Sequence, residues 1–142
     1  MSTDLGNQLP DDLFHQLSEA DQSEQGGKAI PICTVDADGW AHPALLSYGE
    51  VGARDRSTLR VITFDGTKTT ENLRGNGRLT ILFIDDTMTY YVKGVAKEIP
   101  AARAGGGPGH AYMDVAISHV LSDAPGAGEE GATITSGIMF KW

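Results

Sequence analysis

"TFDGTKTTENLRGNGR", residues 63–78, decides how this chain is read. An apolar, β-branched run ends at Phe64, and another begins at Leu79. Between them lie a glycine, one lysine among hydroxyl residues, and a short polar stretch closed by Gly-Asn-Gly. The pattern predicts strand, turn, short helix and strand, with the helix over residues 69–74 and "GNGR" as its stop. Thr67 or Thr69 suits the N-cap, with Glu71 or Asn72 nearby. The same atoms make a seat for a phosphate. A helix N-terminus offers free N–H groups and partial positive charge. Gly66 lets the backbone come close, Thr67 and Thr69 add hydroxyls, and Lys68 supplies a full charge. The two readings are compatible. The spacing is not that of the G-x-x-x-x-G-K-[ST] loop, so ATP and GTP are not indicated.

Working outward, residues 79–84 are apolar on both faces and are expected to form a central strand. "DDT" then turns the chain into a long strand over residues 88–99. Upstream, residues 29–35 and 40–51 flank "DADG" and read as a hairpin, and residues 59–64 form a third strand. Residues 10–19 read as a short helix: Leu9, Leu13 and Leu17 share a face, Pro10 opens the first turn, and Asp11 and Asp12 complement the dipole. Downstream, "ARAGGGPG" is a flexible connection. Residues 112–121 fit either a strand (Met113, Val115, Ile117, Leu121) or a helical stripe (Met113, Ala116, Ile117, Val120, Leu121). Residues 132–141 read as a last strand. The expected fold is mainly β, a small barrel of six to seven strands with a short N-terminal helix and one helix after the third strand.

The chain has 142 residues, and one domain spanning 1–142 is expected. Within it, 1–27 is a helix and loop leader, 28–99 the core barrel, 100–111 a Gly-rich connection and 112–142 the closing strands. The net charge of −8 argues against nucleic acid as a partner, since phosphate backbones call for a basic surface. It leaves room for a small anion in one positive pocket. No apolar run approaches the roughly 20 residues of a membrane span, and the acidic start "MSTDLGNQLPDDLF" does not read as a signal sequence. Cys33 is the sole cysteine, so no internal disulfide forms. A cytoplasmic protein without membrane association is expected.

The order of pieces carries a resemblance. "TVDADGWAHPALLSYGEV", "LRVITFDGTKTTENLRGNGRLTILFID" and "YYVKGVAKEI" follow one another as in the pyridoxamine 5′-phosphate oxidase-like superfamily, the FMN-binding split barrels. The resemblance covers residues 28–99, and "ITSGIMF" resembles the closing strand of some smaller members. It implies a split barrel and a homodimer holding FMN between two chains. It places Thr67, Lys68 and Thr69 at the FMN phosphate, with Arg74 or Arg78 assisting from nearby. Ile62 and Thr63, with Leu46, Ser47 and Tyr48 on the hairpin strand, line the flavin, and Thr89 falls at a polar flavin contact. Pyridoxamine oxidases proper carry basic residues on the hairpin strand. "ALLSYG" has none, and Thr69 replaces the second basic residue of the turn. Pyridoxamine phosphate is therefore not the expected substrate.

The function expected from this resemblance is an FMN-dependent oxidoreductase acting on a small-molecule substrate or electron donor that the residues do not name. The alternatives are a non-catalytic flavin- or haem-binding carrier and an F420-dependent reductase. No catalytic side chain is nominated, because the flavin ring carries the electrons. Trp142 is read as a packing anchor or as a residue reaching the partner's flavin. His42, His110 and His119 lack metal-ligand spacing, so no metal site is expected. Cys33 reads as a small buried hydrophobe. The neighbouring acids Asp11/Asp12, Asp85/Asp86 and Glu129/Glu130 diverge across a turn or strand and read as solvated turns.

Overall fold

Alternation of apolar and polar residues along each predicted strand is realised as one curled antiparallel sheet. A computed structural model describes residues 2–18, 25–124 and 131–141. Its elements are β1 (Ser2–Asp4), α1 (Asp11–Leu17), β2 (Lys28–Val35), β3 (Ala41–Ser47), β4 (Val51–Asp55), β5 (Thr58–Phe64), α2 (Lys68–Gly75), β6 (Arg78–Asp85), β7 (Met88–Ile99), β8 (His110–Asp123) and β9 (Ile138–Met139). Seven strands run in the order β3-β2-β6-β7-β8-β5-β4, while β1 pairs with β8 and β9 with β2. The fold is a mainly β split barrel, with two helices among the described residues. Among the described residues no helix is long and apolar enough to cross a membrane.

Inward side chains fill the barrel: Ile30 and Ile32 of β2, Ile81 and Phe83 of β6, Val92 of β7, Met113 and Val115 of β8, Leu59 and Val61 of β5 are at most 1% exposed. Each contributes about 1.5–3 kcal/mol of burial free energy. From α1, Leu13 and Leu17 add to the same core, because Leu9, Leu13 and Leu17 recur at helical spacing. Helix α2 packs on β2, β3, β5, β6 and β7 and so covers the sheet at the end where β5 gives way to β6.

Three sequence expectations are refined. Residues 40–51 are not one strand: a turn at Tyr48–Glu50, with Glu50 N–H donating to Ser47 O at 3.0 Å, divides them into β3 and β4. Helix α2 therefore follows the fourth long strand. Residues 112–121 are strand, and β8 carries a bulge where Lys93 pairs with His119 but Gly94 with Ile117. The extra residue switches inward parity from Met113, Val115 and Ile117 to Val120, which reproduces a helical stripe in a strand. The last strand shrinks to Ile138–Met139. Residues 131–137 carry no regular secondary structure, and at their end Gly137 is pressed against β6: a Cβ there would lie 2.6 Å from Ile84 O. Strands β2 and β6 pair only from Ile32 to Thr34, and beyond that β9 takes up the β2 edge at Lys28 and Ala29.

Lys28 and Asp85 fasten this seam, with Nζ and Oδ2 2.6 Å apart. Burial pushes the Asp85 carboxyl up. The Lys28 hydrogen bond and the Asp86 and Gly137 amides outweigh it, so Asp85 sits below its ordinary pKa. A depressed carboxyl adds stability above its unfolded pKa, about 3.9, and loses it as pH falls through the folded value. The urea midpoint should fall as pH drops below about 4, and Asp85→Asn should make that fall shallower. An unchanged slope in the variant refutes a role for the pair.

Candidate functional site

Helix α2 starts where the sequence places it. Thr67 is its N-cap, with φ −88° and ψ 158°, and its Oγ1 accepts the Thr70 N–H at 3.3 Å. The capping hydroxyls are committed inward. Thr67 Oγ1 and Thr70 Oγ1 both donate to Phe64 O, at 2.8 and 2.6 Å, and Thr63 Oγ1 lies 2.7 Å from Thr70 Oγ1. Thr69 is 6% exposed, so what it offers an external ligand is its amide. The open face of the turn is left to first-turn N–H groups, which have no intrahelical acceptor, to Gly66 and to Lys68. Gly66 has φ +79°, and the position of its missing Cβ meets nothing within 4 Å. The Lys68 side chain is 52% exposed and loosely paired with Glu71 at 3.7 Å.

Arg74 is not available to this turn. Its Nε and one terminal nitrogen grip both Glu98 oxygens at 2.9 and 2.8 Å, and the other terminal nitrogen donates to Asp65 at 3.0 Å. The paired guanidinium holds Glu98 below the usual carboxylate range, and the two carboxylates hold Arg74 above its own. Asp65 also accepts the Gly66 N–H at 3.0 Å. Arg74, in the last turn of α2, thus ties the helix to Glu98 of β7 and to Asp65 of the preceding turn. Arg78 lies beyond the other end of α2, about 12 Å along the helix from Lys68.

The second group of predicted residues joins this corner through Glu50. Its carboxylate accepts both the Ser47 N–H and the Ser47 hydroxyl at 3.0 Å, and its carbonyl accepts the Ile62 N–H at 2.8 Å. Ser47, Ile62, Thr63, Thr67 and Lys68 are thereby brought into one continuous region. Leu46 and Tyr48 face the interior, at 6% and 4% exposure. Burial, with Asp85 next, pushes the Tyr48 phenol up to about 12, and it donates to Gln16 at 3.0 Å. The side chains of this region on the outer face are Leu45 and Ser47 of β3 and Ile62 and Phe64 of β5. Leu45 and Phe64 were not nominated from sequence, although the strand alternation places them beside Ser47 and Ile62. His110 stacks on Phe64 with ring centres 4.9 Å apart.

Thr89 is not part of this corner within one chain. It opens β7, opposite Ile84, whereas Glu98, beside α2, closes β7 about 30 Å along the strand. Thr89 lines a small cleft with Met88, Asp123 and Ile134 instead. Trp142 and the Glu129/Glu130 pair lie outside the described residues. His42 sits on β3, and His110 and His119 on β8. Cys33 is half-buried rather than buried, on the outer face of β2.

The family model described as pyridoxamine 5′-phosphate oxidase matches residues 18–117. Among curated proteins, the uncharacterized protein YclD of Bacillus subtilis (strain 168) is 32% identical over 87 residues, 61% of this chain. The chain spans 56%, or about half, of the length of that relative. Among solved structures, a pyridoxamine 5′-phosphate oxidase-type protein from Lactobacillus delbrueckii aligns with a TM-score of 0.61 and 18% identity, covering 82% of this chain and 97% of that one. An F420 reductase aligns at 0.57 with 14% identity, covering 79% and 98%. HutZ, the haem storage protein from Vibrio cholerae, aligns at 0.54 with 16% identity, covering 72% and 92%. At such identities these structures share the fold.

Proposed function

The chain belongs to the pyridoxamine 5′-phosphate oxidase family, and from that premise we propose that it is an FMN-dependent oxidoreductase. The observation that carries the reading is the open start of α2. The Lys68 and Thr69 amides, a glycine with free space above it and an exposed lysine lie beside an outer shelf of Ser47, Ile62 and Phe64. These residues fit a phosphate joined to a flat ring system. Lys68 and the α2 amides hold the dianion, and Thr67 and Thr70 keep the turn in shape. Ile62 and Phe64 offer apolar contact, and Ser47, fixed by Glu50, a polar one. Bound FMN supplies two-electron redox chemistry, and the chain positions the ring and limits its exposure to water.

The electron donor and the substrate are small molecules of unassigned identity. A cytoplasmic setting, which supplies reduced nicotinamide donors and keeps Cys33 reduced, suits this chemistry. Leu45 of β3 and Ile138 and Met139 of β9 are 53%, 46% and 57% exposed on either side of the start of β2. Exposed apolar residues grouped beside the shelf favour a homodimer whose seam adjoins the flavin. Light scattering should give the mass of two chains.

The test is direct. Purified protein titrated with FMN should bind one flavin per chain and pass electrons from NADH or NADPH to an acceptor. Glu71→Gln, which releases Lys68 from its weak partner, should tighten FMN by about two- to fivefold, the worth of an exposed ion pair. Absence of FMN binding at micromolar concentration overturns the proposal. Two neighbours define a second reading, a carrier of haem or a reductase using F420. A Soret band in the purified protein, or F420 displacing FMN, selects it.

A further inference from the structure

One sizeable cavity lies away from the flavin corner. It is a groove of about 580 Å³ on the outer face of the sheet, over the bulge that joins β7 to β8. Its walls are mostly apolar, with Val35, Leu79 and Val95 among them. Three basic side chains reach it: Arg78 from β6, Lys93 from β7 and His119 from β8. Among the described residues neither Arg78 nor Lys93 has a carboxylate within ion-pair distance, whereas Lys28, Arg56, Arg60, Lys68 and Arg74 all do. Arg54, Lys97, Arg103 and Lys141 share that state, so what distinguishes the groove is that two such cations and an imidazole meet in one cavity of a chain of net charge −8. The backbone is shaped for it. The bulge sets Lys93 opposite His119 on the outer face. Gly94 lets the two strands close, since a Cβ there would sit 2.6 Å from Ala116 O.

We propose that this groove binds a flat, mainly apolar small molecule bearing one or two acidic groups, with Arg78 and Lys93 holding the acid and the aliphatic walls holding the body. Size and lining match ordinary ligand pockets, which are apolar with a few placed polar groups. The site is separate from the flavin corner. It shares no residue with it and lies past the opposite end of α2.

Anilinonaphthalene sulfonate, a flat apolar anion, is the probe, read by fluorescence on the full chain. One probe per chain is expected. The double variant Arg78→Gln/Lys93→Gln should weaken it by roughly tenfold or more, the loss expected for charge-assisted contacts. The uncharged analogue N-phenylnaphthylamine should bind both proteins alike. Cys33 lines the groove and is the only cysteine. Bound probe should therefore slow its reaction with a chromogenic aromatic disulfide. Lys68→Ala should leave all of these results unchanged. Equal probe affinity in the double variant overturns the proposal, as does a Cys33 that bound probe does not protect. Loss of probe binding in Lys68→Ala would reassign the groove to the flavin site. Failure of FMN to bind would leave these readouts intact, so the two proposals fail separately.

Discussion

Lys68→Ala is expected to weaken FMN binding by roughly 10- to 100-fold, because a charge-assisted phosphate contact contributes about 1.5–3 kcal/mol. The side chain is half exposed and its only ion-pair partner among the described residues is Glu71 at 3.7 Å. Its removal should therefore cost the fold less than about 0.5 kcal/mol, the value of an exposed helical pair. That separation makes the variant informative: affinity changes while the urea midpoint does not. Riboflavin, which lacks the phosphate, should bind wild type and variant equally. The wild-type preference for FMN over riboflavin should shrink as salt rises, because Lys68 is exposed. If Lys68→Ala and wild type bind FMN equally, the start of α2 is a capped helix and nothing more.

Gly77→Ala is expected to destabilise the protein by about 2–4 kcal/mol, combining the cost of a left-handed residue with overpacking against backbone. Gly77 has φ +73°, and a Cβ there would lie 2.7 Å from Ala96 O and 3.2 Å from Val95 Cγ1. Its own carbonyl accepts the Ala96 N–H. The neighbour that would have to yield is β7 itself, which is held on both sides by β6 and β8. Gly66→Ala is the control. It shares the positive φ but faces open space, so its cost should be only about 1–2 kcal/mol. Urea unfolding of the two variants separates conformational cost from collision. Similar midpoints for both would refute the close approach of α2's end to β7.

Much of this architecture is legible in the chain because each strand has one buried face. Ile30 and Ile32, or Leu79, Ile81 and Phe83, announce themselves at period two. Threonine, glycine and the closing Gly-Asn-Gly mark both ends of α2. Two features hid. The bulge in β8 shifts parity by one residue, so a strand carried a helix-like stripe. The turn at Tyr48–Glu50 has no proline and reads as continuing strand until Glu50 folds back on Ser47. At the start of α2, residue type pointed to Thr67 as a cap and Lys68 as an exposed charge, but hydroxyl chemistry cannot say which way a hydroxyl donates. Thr67 and Thr70 both turn to Phe64 O. Of the residues nominated for the shelf, Ser47 and Ile62 face outward while Leu46, Tyr48 and Thr63 are buried, since a strand offers its two faces alternately and motif order does not say which is outward.

The narrow seam between β2 and β6 bears on the order in which the barrel assembles. Positions 29 and 138, which meet there, are more than one hundred residues apart. Hairpins such as β6–β7 close over a few residues, whereas this junction awaits a segment synthesised long after both of its walls. Loop-closure entropy makes such a distant contact costly to form early. On the ribosome, the sheet would curl first and stand ajar at that edge, and the late-arriving strand would zip it last.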